Sequence, residues 1–449
     1  MKAEVRGKNP SISLQNPTIF TNSGALTGCL SNLDGACIEK LLLHCASALE
    51  GNDVTLAQQV MWVLNNVASS LGDPNQRLAS FFLRALISKA SRVCPSTINF
   101  NSAASAASHR RLMSVTELAG YVDLIPWHRF GFCAANSAIL QAIQGFPSVH
   151  ILDFSITHCM QWPTLIDALA KQSDGPPPML RISVLSWRPR VPPLLNVSIE
   201  EVGIRLVNFA KYRDVPFEFN VIEMGVAEEE ESDSSSSATL RYDLLLSQLN
   251  ASALKVRAQE ALVVNCQNWL RYLPDEDSPS SSGSSPDHMS YRDSFLEMIR
   301  SLSPCVVTVV DEDCDLGSSS GLASRITSCF NYMWIPFDAL ETFLPKNSPQ
   351  RIEFEADIGH KIENIIGFEG LQRIERLESG GKLSHRMANA GFLNVPFCEE
   401  TVREVKLLLD EHASGWGMKR DEDMLVLTWK GHNSVYATVW VPRAPVIQP

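Results

Sequence analysis

Glycine is missing from the one stretch where an α/β cofactor-binding protein depends on it. The apolar run 149–154, VHILDF, has the length and character of a short buried strand and carries a carboxylate at Asp153. The nine residues after it, SITHCMQWP, contain no glycine. A backbone with a Cβ at every position is held off a phosphate or an adenosyl group, or is denied the tight turn that would cradle one. The sequence therefore reads as a cofactor-binding scaffold whose cofactor site has been filled in. It predicts a binding protein rather than an enzyme, with no catalytic residues, no cofactor and no metal.

Other absences narrow the field. The 11 cysteines include no C-x-x-C pair, which argues against structural zinc, and a disulfide framework does not suit a chain of 449 residues. Reduced thiols packed as small hydrophobes are expected. No apolar run reaches the ~18 residues of a membrane helix. Residues 1–21 carry Lys and Arg but no apolar stretch of the signal-peptide kind, so an intracellular protein without membrane attachment is expected. Positive charge is also short. With a net charge of −12 and a pI near 5.4, no global basic field draws the chain to nucleic acid, and any DNA contact needs a local patch.

What is present divides into two architectures. Residues 1–33 are polar and read as a loose tail. Residues 34–130 read as an all-helical cap. Ile38, Leu41, Leu42, Cys45 and Leu49 make one helical stripe, and a capping box at Thr55 and Gln58 opens a second helix with Val60, Leu64 and Val67. Gly72-Asp73-Pro74 stops that helix, a third follows over 76–90, and Ser114 with Glu117 repeats the capping form before a fourth. Such stripes serve ordinary core packing or leave a face for a partner helix. Ile38, Leu41, Leu42, Leu49 and Leu64 are the candidates for the second role.

The period changes over 131–449. Short apolar runs at 149–154, 179–186, 217–222, 261–265 and 305–311 alternate with helical patterns, and 424–430 with 434–441 reads as an antiparallel hairpin. This order predicts an α/β fold: a methyltransferase-like Rossmann core, mainly parallel, with a C-terminal antiparallel hairpin. Low-complexity segments near 226–238 and 274–290 are too polar to pack and are expected as loops, their serines either solvated or phosphorylated.

Several of these features together resemble the plant GRAS family, the scarecrow-like transcriptional regulators, on the short-root side of that family. Val149-His150-Ile151-Leu152-Asp153 is similar to the family's VHIID motif, with Leu152 for its second Ile, and Gln161-Trp162-Pro163-Thr164-Leu165 to the segment after it. The helices before it resemble the first leucine-rich region, 199–221 the second, 330–340 the PFYRE region and 365–376 the start of the SAW region, which Trp416, Trp429 and Trp440 continue. Three positions depart from the pattern: His360-Lys361 stands for an Arg-Glu pair, Thr438-Val439-Trp440 for Ser-Ala-Trp, and Leu383 for a Trp. These put in doubt any salt bridge carried over from the family at those points. The resemblance implies a helical cap on a methyltransferase-like core, a nuclear location, and regulation through other GRAS proteins, as homo- or heterodimers, and through zinc-finger DNA-binding factors.

Individual residues carry competing readings. Asp153 either holds a ligand hydroxyl or caps the next helix or pairs with a basic neighbour. His150 reads as a satisfied core histidine, and the tryptophans, Trp162 included, as core anchors; the adjacent His158 and Cys159 suggest a thiol nucleophile, although adjacency in sequence says little about geometry. Lys89, Arg92, Arg110 and Arg111, with Arg188 and Arg190 after the second strand, are the candidate phosphate contacts if the fold gathers them. Three functions follow: regulator through protein partners, direct sequence-specific DNA-binding factor, or, by fold analogy alone, S-adenosylmethionine-dependent methyltransferase.

Overall fold

The structure, a computed structural model, describes residues 34–93, 111–172, 175–223, 235–274, 290–317 and 321–444. The expected tail over 1–33, the candidate phosphate contact Arg110 and most of the two polar segments lie outside the described residues. Ser235 to Ala238, expected as loop, instead open a helix.

Three helices start the described chain: α1 (Gly35–Glu50), α2 (Val54–Val67) and α3 (Pro74–Val93). Each start has a carboxylate taking up a free backbone N–H. Asp34 accepts from the Cys37 N–H at 2.8 Å, and Asp53 from the Leu56 N–H at 3.0 Å. The capping box expected at Thr55 is therefore replaced by a single side-chain cap from Asp53, because Thr55 already sits inside the first turn and the residue at N3 is Leu56. Asp73 and Gln76 cap α3 reciprocally, at 3.0 and 3.1 Å, with Pro74 opening the helix. The Gly72-Asp73-Pro74 break thus starts α3 rather than stopping α2, which has already ended at Val67. After β1 (Leu112–Met113), the capping box of Ser114 and Glu117 opens α4 (Val115–Val122) as expected, and α5 (Trp127–Ala142) follows. The span expected to be all-helical holds the short strand β1, which pairs with β4 (Leu194–Leu195). The boundary expected between residues 130 and 131 falls inside α5.

The main sheet is built from β2 (Ser148–Asp153), β3 (Met179–Leu185), β5 (Phe217–Ile222), β6 (Glu260–Gln267) and β7 (Val306–Glu312), all parallel. Joined to these are β8 (Phe392–Asn394), β9 (Trp416–Asp421), β10 (Met424–Trp429) and β11 (His432–Pro442). The strand order is β5-β3-β2-β6-β7-β11-β10-β9, with β8 on β11 and the last four antiparallel. Crossovers are α6 (Trp162–Ala170), α7 (Ile199–Tyr212), α8 (Ser235–Gln248) and α9 (Tyr291–Ser301). Between β7 and the end come α10 (Leu322–Glu341), α11 (Pro349–Ile362), α12 (Gly380–Asn389) and α13 (Glu399–Asp410). The five expected parallel strands and the hairpin are all present, in the predicted fold class.

Period-two alternation assigns the strand side chains to two cores. Val149, Ile151, Val263 and Leu427 point to one face, where Ile38, Leu42, Leu49, Leu64 and Phe82 of the helical layer join the same buried cluster. Leu152, Val264, Val309 and Val426 point to the other, under Leu245, Phe295 and Met387 of α8, α9 and α12. The helical layer and one face of the sheet therefore share a single core.

Candidate functional site

In an open α/β sheet, ligands bind beyond the carboxyl ends of the strands where the strand order reverses. Here that point lies between β2, whose crossover leads to β3, and β6, whose crossover leads the other way to β7. Side chains occupy it. Asp153, at the end of β2, is buried and accepts from the Ser155 N–H at 2.9 Å and the Ser155 hydroxyl at 3.0 Å. It also accepts from the indole Nε1 of Trp162 at 2.8 Å and from Nδ2 of Asn265 at 3.0 Å. Four neutral donors satisfy the carboxylate. Asp153 therefore neither pairs with a basic neighbour nor caps α6, whose start has no side-chain cap.

A line of buried amides and hydroxyls extends from that carboxylate. Asn265 Nδ2 also donates to Gln161 Oε1 at 3.1 Å, Gln161 Nε2 donates to Asn136 Oδ1 at 3.0 Å, and the Thr308 hydroxyl donates to Asn265 Oδ1 at 2.8 Å. This line links α5, β6 and β7 across the crevice. Sequence reasoning passed over Asn136, Asn265 and Thr308. The signal was there for two of them, a polar residue in the middle of an otherwise apolar strand, since such a residue must find a buried partner.

The connecting loop turns without glycine. His158 and Cys159 take φ of 51° and 64°, left-handed values that cost a residue with a Cβ about 1–2 kcal/mol. Side chains do fill the space, as expected; the expectation that they forbid the turn is overturned. The strain is held by His158 Nε2 donating to the Pro193 carbonyl at 2.9 Å and by burial of Cys159. Burial pushes the Cys159 thiol up to about 12, so it stays protonated at neutral pH and the nucleophile reading is set aside. Burial and then the Arg188 charge hold His158 down at about 4. His150 is fully buried, bonded through Nε2 to the Ser183 hydroxyl at 2.7 Å and held at about 4 by burial; it is a core histidine, but Nδ1 has no hydrogen-bond partner, so it is only half satisfied.

S-adenosylmethionine, the cofactor a methyltransferase-like core implies, does not fit these residues. The Trp162 indole stands against the one carboxylate at the end of β2, that carboxylate has no free acceptor role left to offer a ribose, and no glycine lets the loop backbone come close. Among the described residues no group of three metal-ligating side chains occurs, and no helix is long and apolar enough to cross a membrane.

The sequence and the fold have counterparts among known proteins. The sequence model of the GRAS domain family matches residues 38–441. The chain belongs to the GRAS domain family. This GRAS chain is 47% identical to Scarecrow-like protein 32 of Arabidopsis thaliana, over 95% of its own length and 98% of that protein. It is 32% identical to Protein SHORT-ROOT 1 of Oryza sativa subsp. japonica, over 90% of its own length and 68% of that protein. Among solved structures, SCL7 of Oryza sativa resembles it with a TM-score of 0.69 at 25% identity, covering 90% of this chain and 99% of that one. GRAS proteins are plant transcriptional regulators, and one relative bears the name Scarecrow-like transcription factor PAT1.

The three departures from the GRAS pattern are absorbed locally. Lys361 reverses a charge, and its Nζ meets Glu312 at 2.6 Å and Glu375 at 3.4 Å in a buried group with Arg271 and Asp311. Burial pushes the Glu312 carboxyl up, but Arg271 and Lys361 outweigh it and hold it down at about 2. Leu383 is buried, and the Thr438 hydroxyl donates to the Val309 carbonyl at 3.2 Å. Of the SAW-region aromatics, Trp429 and Trp440 are buried and Trp416 half-buried. Trp429 Nε1 donates to Asp338 of the PFYRE segment at 2.7 Å, tying the two regions together.

Other candidates are already engaged within the fold. Ile38, Leu42, Leu49 and Leu64 are buried in the shared core, and Leu41 packs against it half-buried. A partner cannot reach the first four in this fold. Lys89 pairs with Glu369 at 2.6 Å, Arg92 donates to the Gly367 carbonyl at 2.7 Å and covers the Phe368 ring, and Arg111 meets Glu117 and Glu353. Arg188 Nη2 rests on the Cys159 sulfur at 3.8 Å, while Arg190 is exposed. Glu353 and Gly367 lie some 14 residues apart on one helical run, about 20 Å at 1.5 Å per residue, which separates Arg111 from Arg92.

Proposed function

We propose that this chain is a nuclear regulator of transcription that works by bridging protein partners and catalyses nothing. Other GRAS proteins and zinc-finger DNA-binding factors are the partner classes. The observation that carries this reading is the Asp153–Trp162–Asn265–Gln161 group, which fills the crevice an enzyme of this fold would keep open. Recognition then falls to the outer surfaces. In the helical cap, residues such as Leu56 and Leu71, exposed beside the buried stripes, take the role first given to Ile38 and Leu42. Isothermal titration with S-adenosylmethionine should release no binding heat, and clear saturable binding would overturn the non-catalytic part. Capture of a SHORT-ROOT relative or a zinc-finger factor by the tagged chain, with a matching change in a reporter, tests the bridging part.

Direct DNA binding is the weaker reading, because Lys89 and Arg111 are paired with carboxylates and the net charge is −12. A gel shift by the isolated chain, weakening log-linearly with salt, would revive it.

A further inference from the structure

α7 covers the outer strand β5 and spends one face on it. A Cβ at Gly203 would stand 2.3 Å from the Phe219 ring, so the helix sits as close to the sheet as a helix can. Val202, Leu206 and Ala210 are buried on that side. The opposite face is apolar at its centre and open: Ile204 is 61% exposed and Tyr212 80% exposed, with Val207 also exposed.

Along the outward face Glu200, Ile204, Val207 and Lys211 follow one another at intervals of four, three and four, the spacing of a coiled-coil seam. The seam is symmetric about its middle. A second helix laid antiparallel about a two-fold axis between Ile204 and Val207 brings Ile204 onto the partner's Val207. The same operation brings Glu200 onto the partner's Lys211, and the reciprocal contacts repeat both. Acid at one end, base at the other and aliphatics between make the face complementary to itself, as a two-fold interface requires. Neither Glu200 nor Lys211 has an ion-pair partner among the described residues, whereas Glu201 and Arg205 beside them already pair, at 2.5 Å.

We infer that the outward face of α7 is a self-association surface, on which a second copy of this chain docks antiparallel. A single 14-residue helix per copy falls short of the roughly 800 Å² per partner of stable complexes, so the dimer is weak and concentration-dependent. This inference deepens the pairing part of the proposed function by assigning it a surface outside the cap. Its test reads self-association alone, so it fails separately from capture of other partners.

Sedimentation equilibrium of the full chain, from low micromolar to near-millimolar concentration, should show a monomer–dimer equilibrium. Ile204→Glu should weaken it about tenfold or more. E200K or K211E alone, each placing like charges together, should weaken it roughly three- to tenfold, and the double variant E200K/K211E should restore it. All three substituted positions are exposed, and circular dichroism checks that the fold is kept. A chain that stays monomeric throughout, a dimer indifferent to Ile204→Glu, or a double variant no better than the singles would each overturn the inference.

Discussion

Asp153 decides the character of the crevice. A buried carboxylate with no cation at its side is stable only while every donor around it is satisfied by it, and here the Ser155, Trp162 and Asn265 groups depend on the same two oxygens. Asp153→Ala strands the Ser155 and Trp162 donors, while Asn265 Nδ2 keeps only Gln161 Oε1. The expected loss is about 3 kcal/mol, read as a lower midpoint of chemical denaturation with an unchanged m-value. A change within about 0.5 kcal/mol would mean that the donors find other partners, and the crevice would be less tightly filled than its geometry implies. The strand that ends in Asp153 was legible in the sequence from its apolar run. The partners of that carboxylate were not, because Asn265 lies 112 residues away and periodicity carries no information about which side chains meet across a sheet.

At the scale of elements, α3 is clamped to α10 and α11 by charges buried together. Arg77 reaches Glu355 at 3.1 Å and Glu341 at 2.9 Å, and Arg351 reaches Glu355 at 3.0 Å and also Glu341. Arg77 further donates to the Gly72 carbonyl at 2.8 Å, fixing the turn before its own helix. Removing Arg77 leaves Glu341 and Glu355 sharing Arg351 as their one remaining cation in this group, so Arg77→Met should cost roughly 3 kcal/mol, whereas an exposed pair such as Arg205–Glu201 should cost below about 1 kcal/mol. Thermal unfolding of Arg77→Met beside Arg205→Ala makes the comparison, and equal effects would refute the clamp. Helices and parallel strands were readable because each has a period and an end signal, as at Ser114 and Pro74. The strand β9 was not: its sequence WGMKRD has little apolar alternation, and it is a strand because β10 offers an unpaired edge. The clamp was equally invisible, with 264 and 278 residues between its partners.

For the molecule as a whole, burial of titratable groups sets the pH range in which the fold holds. His128, His150 and His158 are each held near 4, by burial first and then by Arg271, Arg181 and Arg188 respectively, against an ordinary value of 6.5. Their folded values lie below their unfolded values, so the stability they contribute is complete above pH 6.5 and is lost as the pH falls towards 4. In that window the unfolded chain binds up to three protons that the folded chain refuses. Each proton is worth about 1.4 kcal/mol per pH unit, so the loss between pH 7 and 5.5 should be roughly 3 kcal/mol. Glu312 adds a second decline further down, between its ordinary 4.5 and about 2. The urea midpoint measured at pH 7 and 5.5 reads the first effect. His158→Asn sharpens the reading, since asparagine tolerates the left-handed φ at that position while removing one titrating ring. The variant should keep about two-thirds of the pH-dependence. A midpoint that does not move between the two pH values would mean that these imidazoles accept protons in the folded chain, and that the crevice and the strand beneath it are open to water.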